Sequence, residues 1–177
     1  MAEREIVTVP HPSLRRKARE VKDFGPELQT LIDDMVETMR VAPGVGLAAP
    51  QIDVPLRVIT VEFGDEEDEE KPTKLYMVVN PTIKRFSKDT VPGVEGCLSI
   101  PGIAGEIERS VSVTVKGYNR HGQQMTIKAK GWLARIFQHE IDHLDGILFT
   151  DNAERVWQLQ PEGEEGPTES QAEFNLG

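Results

Sequence analysis

The sequence predicts an α+β fold in which antiparallel strands lie between an amphipathic N-terminal helix and a second helix that carries chemistry. Three observations support this. Apolar residues recur at three-and-four spacing over 26–40, apolar and polar residues alternate through the middle of the chain, and two histidines stand four apart in the helical segment at 131–144. At 177 residues and 38% hydrophobic content, the chain is long enough to bury a core, as one domain or one domain with a tail.

The first helix is predicted over Pro26 to Arg40. Leu28, Leu31, Ile32, Met35, Val36 and Met39 fall on one face. Pro26 suits a first turn, Glu27 suits the positive end of the helix dipole, and Pro43-Gly44 ends the run. Ala42 to Gln51 is too rich in Gly and Pro for an element interior and reads as a turn. Residues 56–63 and 75–79 then read as strands, separated by the six consecutive acids Asp65 to Glu70, a solvated hairpin loop. In Ser110 to Tyr118, Val111, Val113 and Val115 share one face. After Asn119-Arg120-His121-Gly122, Met125, Ile127 and Ala129 alternate again, so this pair is expected to form a hairpin. The second helix spans Gly131 to Leu144. Beyond Gln160 the composition is Glu, Gly, Pro, Gln and Ser, and a mobile acidic tail is expected. The domain boundary is drawn there: 1–155 as the folded unit, 156–177 as the tail.

Thirty acids against twenty bases give a net charge of −10, which argues against direct DNA binding. Eleven of those acids lie in the 65–70 run and in 161–177. The remainder of the chain holds 19 acids and 20 bases, so the acidity belongs to a loop and a tail. No apolar run has the length of a membrane span, and the N-terminus does not read as a signal peptide. The lone Cys97 excludes an internal disulfide and points to a reducing cytoplasm; an organelle protein stripped of its presequence would look the same.

Gln138-His139-Glu140-Ile141-Asp142-His143 is the most informative segment. Histidines at i and i+4 stand about 6 Å apart on one helix face and can converge on one metal ion. Glu140 lies beside that face, within reach of a metal-bound water. A solvated helix surface would explain two histidines equally simply. Here, however, Trp132, Ile136, His139 and His143 share one stripe and Leu133, Phe137, Glu140 and Leu144 another. Burying such polar groups without partners would cost roughly 2–7 kcal/mol each.

A catalytic site of this kind needs a third ligand. In one protease template that ligand would be a histidine where Phe149 stands. In another it would be a glutamate on a later helix, and Glu162, Glu164 and Glu165 fall in the Pro/Gly-rich tail. Cys97 remains. Alone it would be read as a small buried hydrophobe; beside two histidines it completes a set of one thiolate and two neutral imidazoles that leaves the metal with net positive charge.

Gly44-Val45-Gly46-Leu47-Ala48-Ala49-Pro50-Gln51, Glu95-Gly96-Cys97-Leu98-Ser99 and Gln138 to His143 closely resemble, in order, the three signature segments of the peptide deformylase family, over residues 5 to 150. The resemblance implies antiparallel sheets packed around a central metal-binding helix. It implies removal of the N-formyl group from formyl-methionine at the start of nascent polypeptides, with release of formate. Cys97, His139 and His143 would hold one divalent metal ion, with Fe2+ favoured by the family and Zn2+, Ni2+ or Co2+ equally suited to the donors. An activated water would attack the formyl carbon, with Glu140 as general base and then acid. The Gln51 amide and the Leu98 backbone N–H would steady the carbonyl oxygen. Val45 and Gly46 would line the groove for an extended peptide, and Trp132, Arg135 and Ile136 would border the methionine pocket. Glu95 is grouped with these substrate-site residues and reads best as a support for the metal segment. Asp142 and Asp145 could orient ligands or simply be solvated, and His11 and His121 read as surface residues. Nascent chains also suggest transient ribosome contact, for which Arg15-Arg16-Lys17 is the basic candidate, although a solvated turn explains that cluster as well. Two other readings remain: a metallopeptidase, which would leave Cys97 and Gln51 without work, and a non-catalytic metal-binding module, against which the retained Glu140 argues.

Overall fold

The structure is a computed structural model that describes residues 2–64, 66–159 and 176. After a 3₁₀ turn at Pro12–Arg15 come helix α1 (Pro26–Val41), strand β1 (Gly46–Ala48) and a second 3₁₀ turn at Ala49–Ile52. Strands β2 (Val58–Phe63), β3 (Lys74–Phe86), β4 (Thr90–Cys97), β5 (Ile100–Ser110), β6 (Ser112–Tyr118) and β7 (Gln124–Lys130) follow. The chain then forms helix α2 (Gly131–Leu144), the one-turn helix α3 (Phe149–Asn152) and strand β8 (Arg155–Gln158). The strands make two antiparallel sheets, ordered β1-β2-β3-β6-β7 and β4-β5-β8.

Strand alternation assigns the two helices to opposite faces of the larger sheet. On β2 and β3, Ile59, Val61, Tyr76 and Val78 pack in the core that includes Ile136, Phe137 and Ile141 of α2. Their neighbours Val58, Leu75, Met77 and Val79 pack in the core formed by Leu28, Leu31, Ile32, Met35 and Met39 of α1. The α1 stripe read from the sequence is therefore its core face. Ile32, Met35 and Met39 are fully buried, each contributing about 1.5–3 kcal/mol. The other side of α2 meets β5 of the smaller sheet, so α2 is enclosed between sheets, as expected for a helix that buries two histidines and a glutamate.

Several elements differ from the sequence expectation. β3 continues through Asn80-Pro81 to Phe86, with register shifts that absorb the interruption. The kink is pinned because Asn80 adopts φ +52° and its side-chain amide bonds both the N–H and the carbonyl of Val21. Val111 does not share the face of Val113 and Val115; it sits at the β5–β6 junction, exposed, with its N–H on Asp89 and its carbonyl on Gly131. The β4–β5 hairpin is unexpected because glycines and Pro92 obscure its alternation. β8 carries residues 156–158 into the smaller sheet, past the boundary drawn at 155. The rest of the expected tail lies outside the described residues except for Leu159, which continues from β8, and Leu176, which is buried.

The expected β2–β3 hairpin forms, with Phe63 opposite Lys74. Its acidic loop also serves the second helix. Glu66 accepts the Trp132 N–H at the start of α2, where the chain's own preceding residue, Lys130, supplies no side-chain cap. A carboxylate there also complements the helix dipole. Glu66→Ala is expected to destabilise the protein by about 1 kcal/mol, readable as a shifted urea midpoint. Glu69→Ala in the same loop should leave that midpoint unchanged.

Candidate metal centre

Cys97 ends β4, and a register shift between Gly96 and Cys97 turns the strand back towards Ile100. His139 and His143 lie one turn apart on the enclosed part of α2. One ligand atom from each of the three residues lies within 4.8 Å of the other two, and all three residues are buried. Cys97 Sγ is 3.5 Å from His143 Nε2. His139 Nδ1 lies 2.9 Å from Glu95 Oε1; an N–H donated there leaves Nε2 as the metal-binding nitrogen and fixes the ring.

Glu95 anchors a buried ionic network. Arg109 grips it with two bonds of 2.8 Å and reaches Asp142 at 2.7 Å, while Arg135 binds it at 2.6 Å. Burial alone would push the Glu95 carboxyl up, but hydrogen bonds from Arg109 and His139 hold it well below the ordinary carboxylate range. Arg135 also donates to the carbonyls of Ile107 and Val91, and its guanidinium stacks 5.4 Å from the Trp132 ring. Its charged end therefore braces β4 and β5 against α2. Of the two aspartates left open by the sequence, Asp142 belongs to this network and Asp145 pairs with Arg57 at the end of α2.

Gln51 is fully buried in the 3₁₀ turn after β1. The Ala48 N–H donates to its Oε1 at 3.0 Å, which orients the amide so that Nε2 donates to Ser99 Oγ at 3.1 Å and reaches 3.7 Å from Cys97 Sγ. The N-terminal segment holds these pieces together: the Val7 N–H bonds the Gln51 carbonyl and the Val9 N–H bonds the Ser99 carbonyl. The Leu98 side chain packs over Gly44. Val45, Trp132 and Leu133 are half-buried against the α2 core that includes Ile136. His121 is exposed, and His11 caps the first 3₁₀ turn through its ring nitrogen.

Glu140 is 0% exposed, and neither carboxylate oxygen has a partner among the described residues. Burial, with the Glu95 charge adding to it, raises its carboxyl well above the ordinary value. Gly46 lies directly over this carboxylate, where any Cβ would collide with it. Burial also pushes the Cys97 thiol up, so a cation is what would make it a thiolate. One thiol, two imidazoles and an adjacent unpartnered carboxylate fit a divalent metal with an open position for water. Arg109 and Ser99 are site residues that the sequence reading does not assign. Arg109 lies in an alternating strand with nothing local to distinguish it, whereas Ser99 stands inside the Cys97 motif.

His-Glu-x-x-His on an enclosed helix with a cysteine opposite is a donor set of the kind that single-metal hydrolases use. The sequence model of the Polypeptide deformylase family matches residues 3–158, and the chain belongs to that family of enzymes. It is 48% identical over 157 residues to the peptide deformylase of Desulforudis audaxviator, covering 89% of this chain and 97% of that one. It is 46% identical over 161 residues to peptide deformylase 1A, chloroplastic/mitochondrial, of Arabidopsis thaliana, covering 83% of this chain and 60% of that one. The crystal structure of peptide deformylase from Thermotoga maritima superposes with a TM-score of 0.81 at 37% identity, over 88% of this chain and 100% of that one.

Proposed function

We propose that this protein hydrolyses the N-formyl group from the formyl-methionine of newly made polypeptides, yielding formate and a free amino terminus. The observation that carries this reading is the buried, unpartnered Glu140 carboxylate beside the Cys97, His139 and His143 triad. Those three side chains would hold the divalent ion, with Fe2+ as the native choice and Zn2+, Ni2+ or Co2+ compatible with the same donors. When bound, the ion supplies Lewis acidity, acidifying a water and polarising the formyl carbonyl. Glu140 takes the proton from that water and delivers it to the departing amine nitrogen, so the C–N bond breaks after the new C–O bond forms. The Gln51 Nε2–H and the Leu98 N–H donate to the carbonyl oxygen as it gains charge. Val45 and Gly46 present a backbone edge to an extended peptide, Trp132 and Ile136 border the apolar pocket, and Glu95 and Arg135 support the metal segment from behind.

A reducing compartment, the bacterial cytoplasm or an organelle interior, suits the single thiol. No helix among the described residues is long and apolar enough to cross a membrane. Transient ribosome contact is compatible with nascent substrates, but Arg15 is already paired with Asp151 at 2.6 Å, which reduces the free charge of the 15–17 cluster.

The test is formate release from formyl-Met-Ala-Ser by anaerobically prepared, Fe2+-loaded protein. Cleavage of casein without formate release, at one metal per chain, would overturn the assignment in favour of a peptidase. Gly46→Ala should lower kcat on the formyl peptide by at least about tenfold, because displacing a reacting group by an ångström is costly. Wild-type kcat in that variant would show that the close approach of Gly46 to Glu140 is irrelevant to the reaction.

A further inference from the structure

The larger sheet carries a charge pattern that the metal centre does not use. Helix α1 covers one face of that sheet as far as Val79 and Tyr118, which pack in its core. Beyond them the same face is open. Alternation sends Val113, Val115, Ile127 and Ala129 into the α2 core and turns their neighbours outward. Lys116, Lys128 and Lys130 are exposed there, with Ser112, Thr114 and Thr126 as their cross-strand partners or neighbours. Strand β3 adds Arg85, opposite Thr114, and a register shift beside it leaves Lys84 exposed next to Lys116. Lys88 follows, exposed, in the turn to β4.

Arg85, Lys88, Lys128 and Lys130 line one shallow depression with Ser87 and Thr114, and no acidic residue lines it. Lys84 and Lys116 line the adjoining depression, which Glu20 borders. None of these cations makes an ion pair among the described residues, whereas Arg4, Arg15, Arg40, Arg57 and Arg120 elsewhere on the surface are all paired with acids. A surface that served solubility alone would mix the two signs. Screening within about 8 Å at physiological ionic strength means that a docked polyanion meets this local field rather than the net charge of the chain.

We infer that this face docks on the phosphate backbone of duplex RNA. Cations on neighbouring strands, about 5 Å apart, offer rows of positive charge to phosphates. The serine and threonine hydroxyls between them can bond 2′-hydroxyls across the wide, shallow minor groove of an A-form helix, which accepts a flat surface. The aromatic ring nearest this face, Tyr118, is engaged edge-on with Phe24, so no ring is offered for stacking an unpaired base and the contact is insensitive to sequence. The 15–17 cluster is a poorer phosphate surface because Asp151 already holds Arg15. The inference goes beyond the deformylase reading and does not depend on it. α2 packs on the opposite face and β1 forms the opposite edge of the sheet, so bound RNA leaves Val45 and Gly46 clear.

Fluorescence anisotropy with a labelled RNA duplex of two helical turns tests this on the full chain. Contact with four to six phosphates should weaken binding about 10²–10³-fold between about 50 and 200 mM salt. Lys88→Glu combined with Lys128→Glu should lower affinity at least about tenfold and make the salt dependence shallower by about two in logarithmic slope. Lys88→Arg with Lys128→Arg keeps the charge and should bind as wild type does. Arg16→Glu with Lys17→Glu changes net charge by the same amount at the other basic cluster and should leave affinity within about twofold. No binding of RNA at low salt would overturn the inference, as would an equal loss in the Arg16/Lys17 variant. A DNA duplex of the same length, lacking 2′-hydroxyls, should bind more weakly, and equal affinity would overturn the assignment to RNA. Binding of a poly-glutamate peptide in place of RNA would overturn it too, in favour of an acidic protein partner.

Discussion

Glu140→Gln is expected to lower kcat on formyl-Met-Ala-Ser by about 10²–10⁴-fold while leaving one metal bound per chain. Glutamine matches the shape of glutamate but cannot accept a proton from water. The position is fully buried, so bulk solvent cannot stand in for the lost base. The metal should stay because Cys97, His139 and His143 converge without Glu140. The same change replaces a buried, unpartnered carboxylate with a neutral amide, which removes a desolvation cost. Tm should therefore hold or rise as activity falls, the opposite of what damage to the core would produce. An activity assay, metal analysis and a melting curve on one preparation test all three. Retained turnover would remove Glu140 from the mechanism, and loss of metal would make it a ligand instead.

Why the metal residues are legible in the sequence, and others not, is a matter of range. His139, Glu140 and His143 share one helix, where spacing converts directly into geometry. Both helices are likewise readable because α1 and α2 each bury a continuous stripe. Cys97 can be assigned only by elimination and by resemblance, because nothing in its own segment points towards α2. Gln51 is further removed still. Its placement rests on an amide oriented by the Ala48 N–H and on a strap from Val7, a contact that spans the whole first helix in sequence. The β4–β5 hairpin is hidden for a related reason. Gly93 and Gly96 read as turn residues, yet Gly93 keeps Cβ off the Arg135 guanidinium, and Gly96 offers the carbonyl on which Leu176 lands. At Gly93 a glycine inside a strand marks a close approach rather than the end of the element. Residues 66–70 of the acidic run do lie in a hairpin loop, but Glu66 reaches a helix terminus 66 positions later, a contact that composition cannot foretell.

The Glu95 network supports the other large effect. Arg109→Met should destabilise the protein by about 3–5 kcal/mol, the usual consequence of removing one partner from a buried ion pair. Arg109 is 7% exposed and supplies two of the bonds to Glu95 as well as the bond to Asp142. Methionine fills similar space without replacing any of them. Arg135 would then be the remaining arginine on Glu95, with a single bond to it. Against a typical total stability of about 5–15 kcal/mol, such a loss should shift the urea midpoint strongly. The metal should report it as well. Glu95 holds the His139 ring through Nδ1, and loosening a carboxylate of this kind typically lowers metal affinity about 10–100-fold. Arg109→Lys keeps the charge but not the two-pronged grip, so it should fall between the Met variant and wild type in both stability and metal affinity. Denaturation and competition with a chelator read these two quantities independently of catalysis. If Arg109→Met were as stable as wild type and bound metal as tightly, the network would be an incidental cluster of charges, and the orientation of His139 would have to come from packing alone.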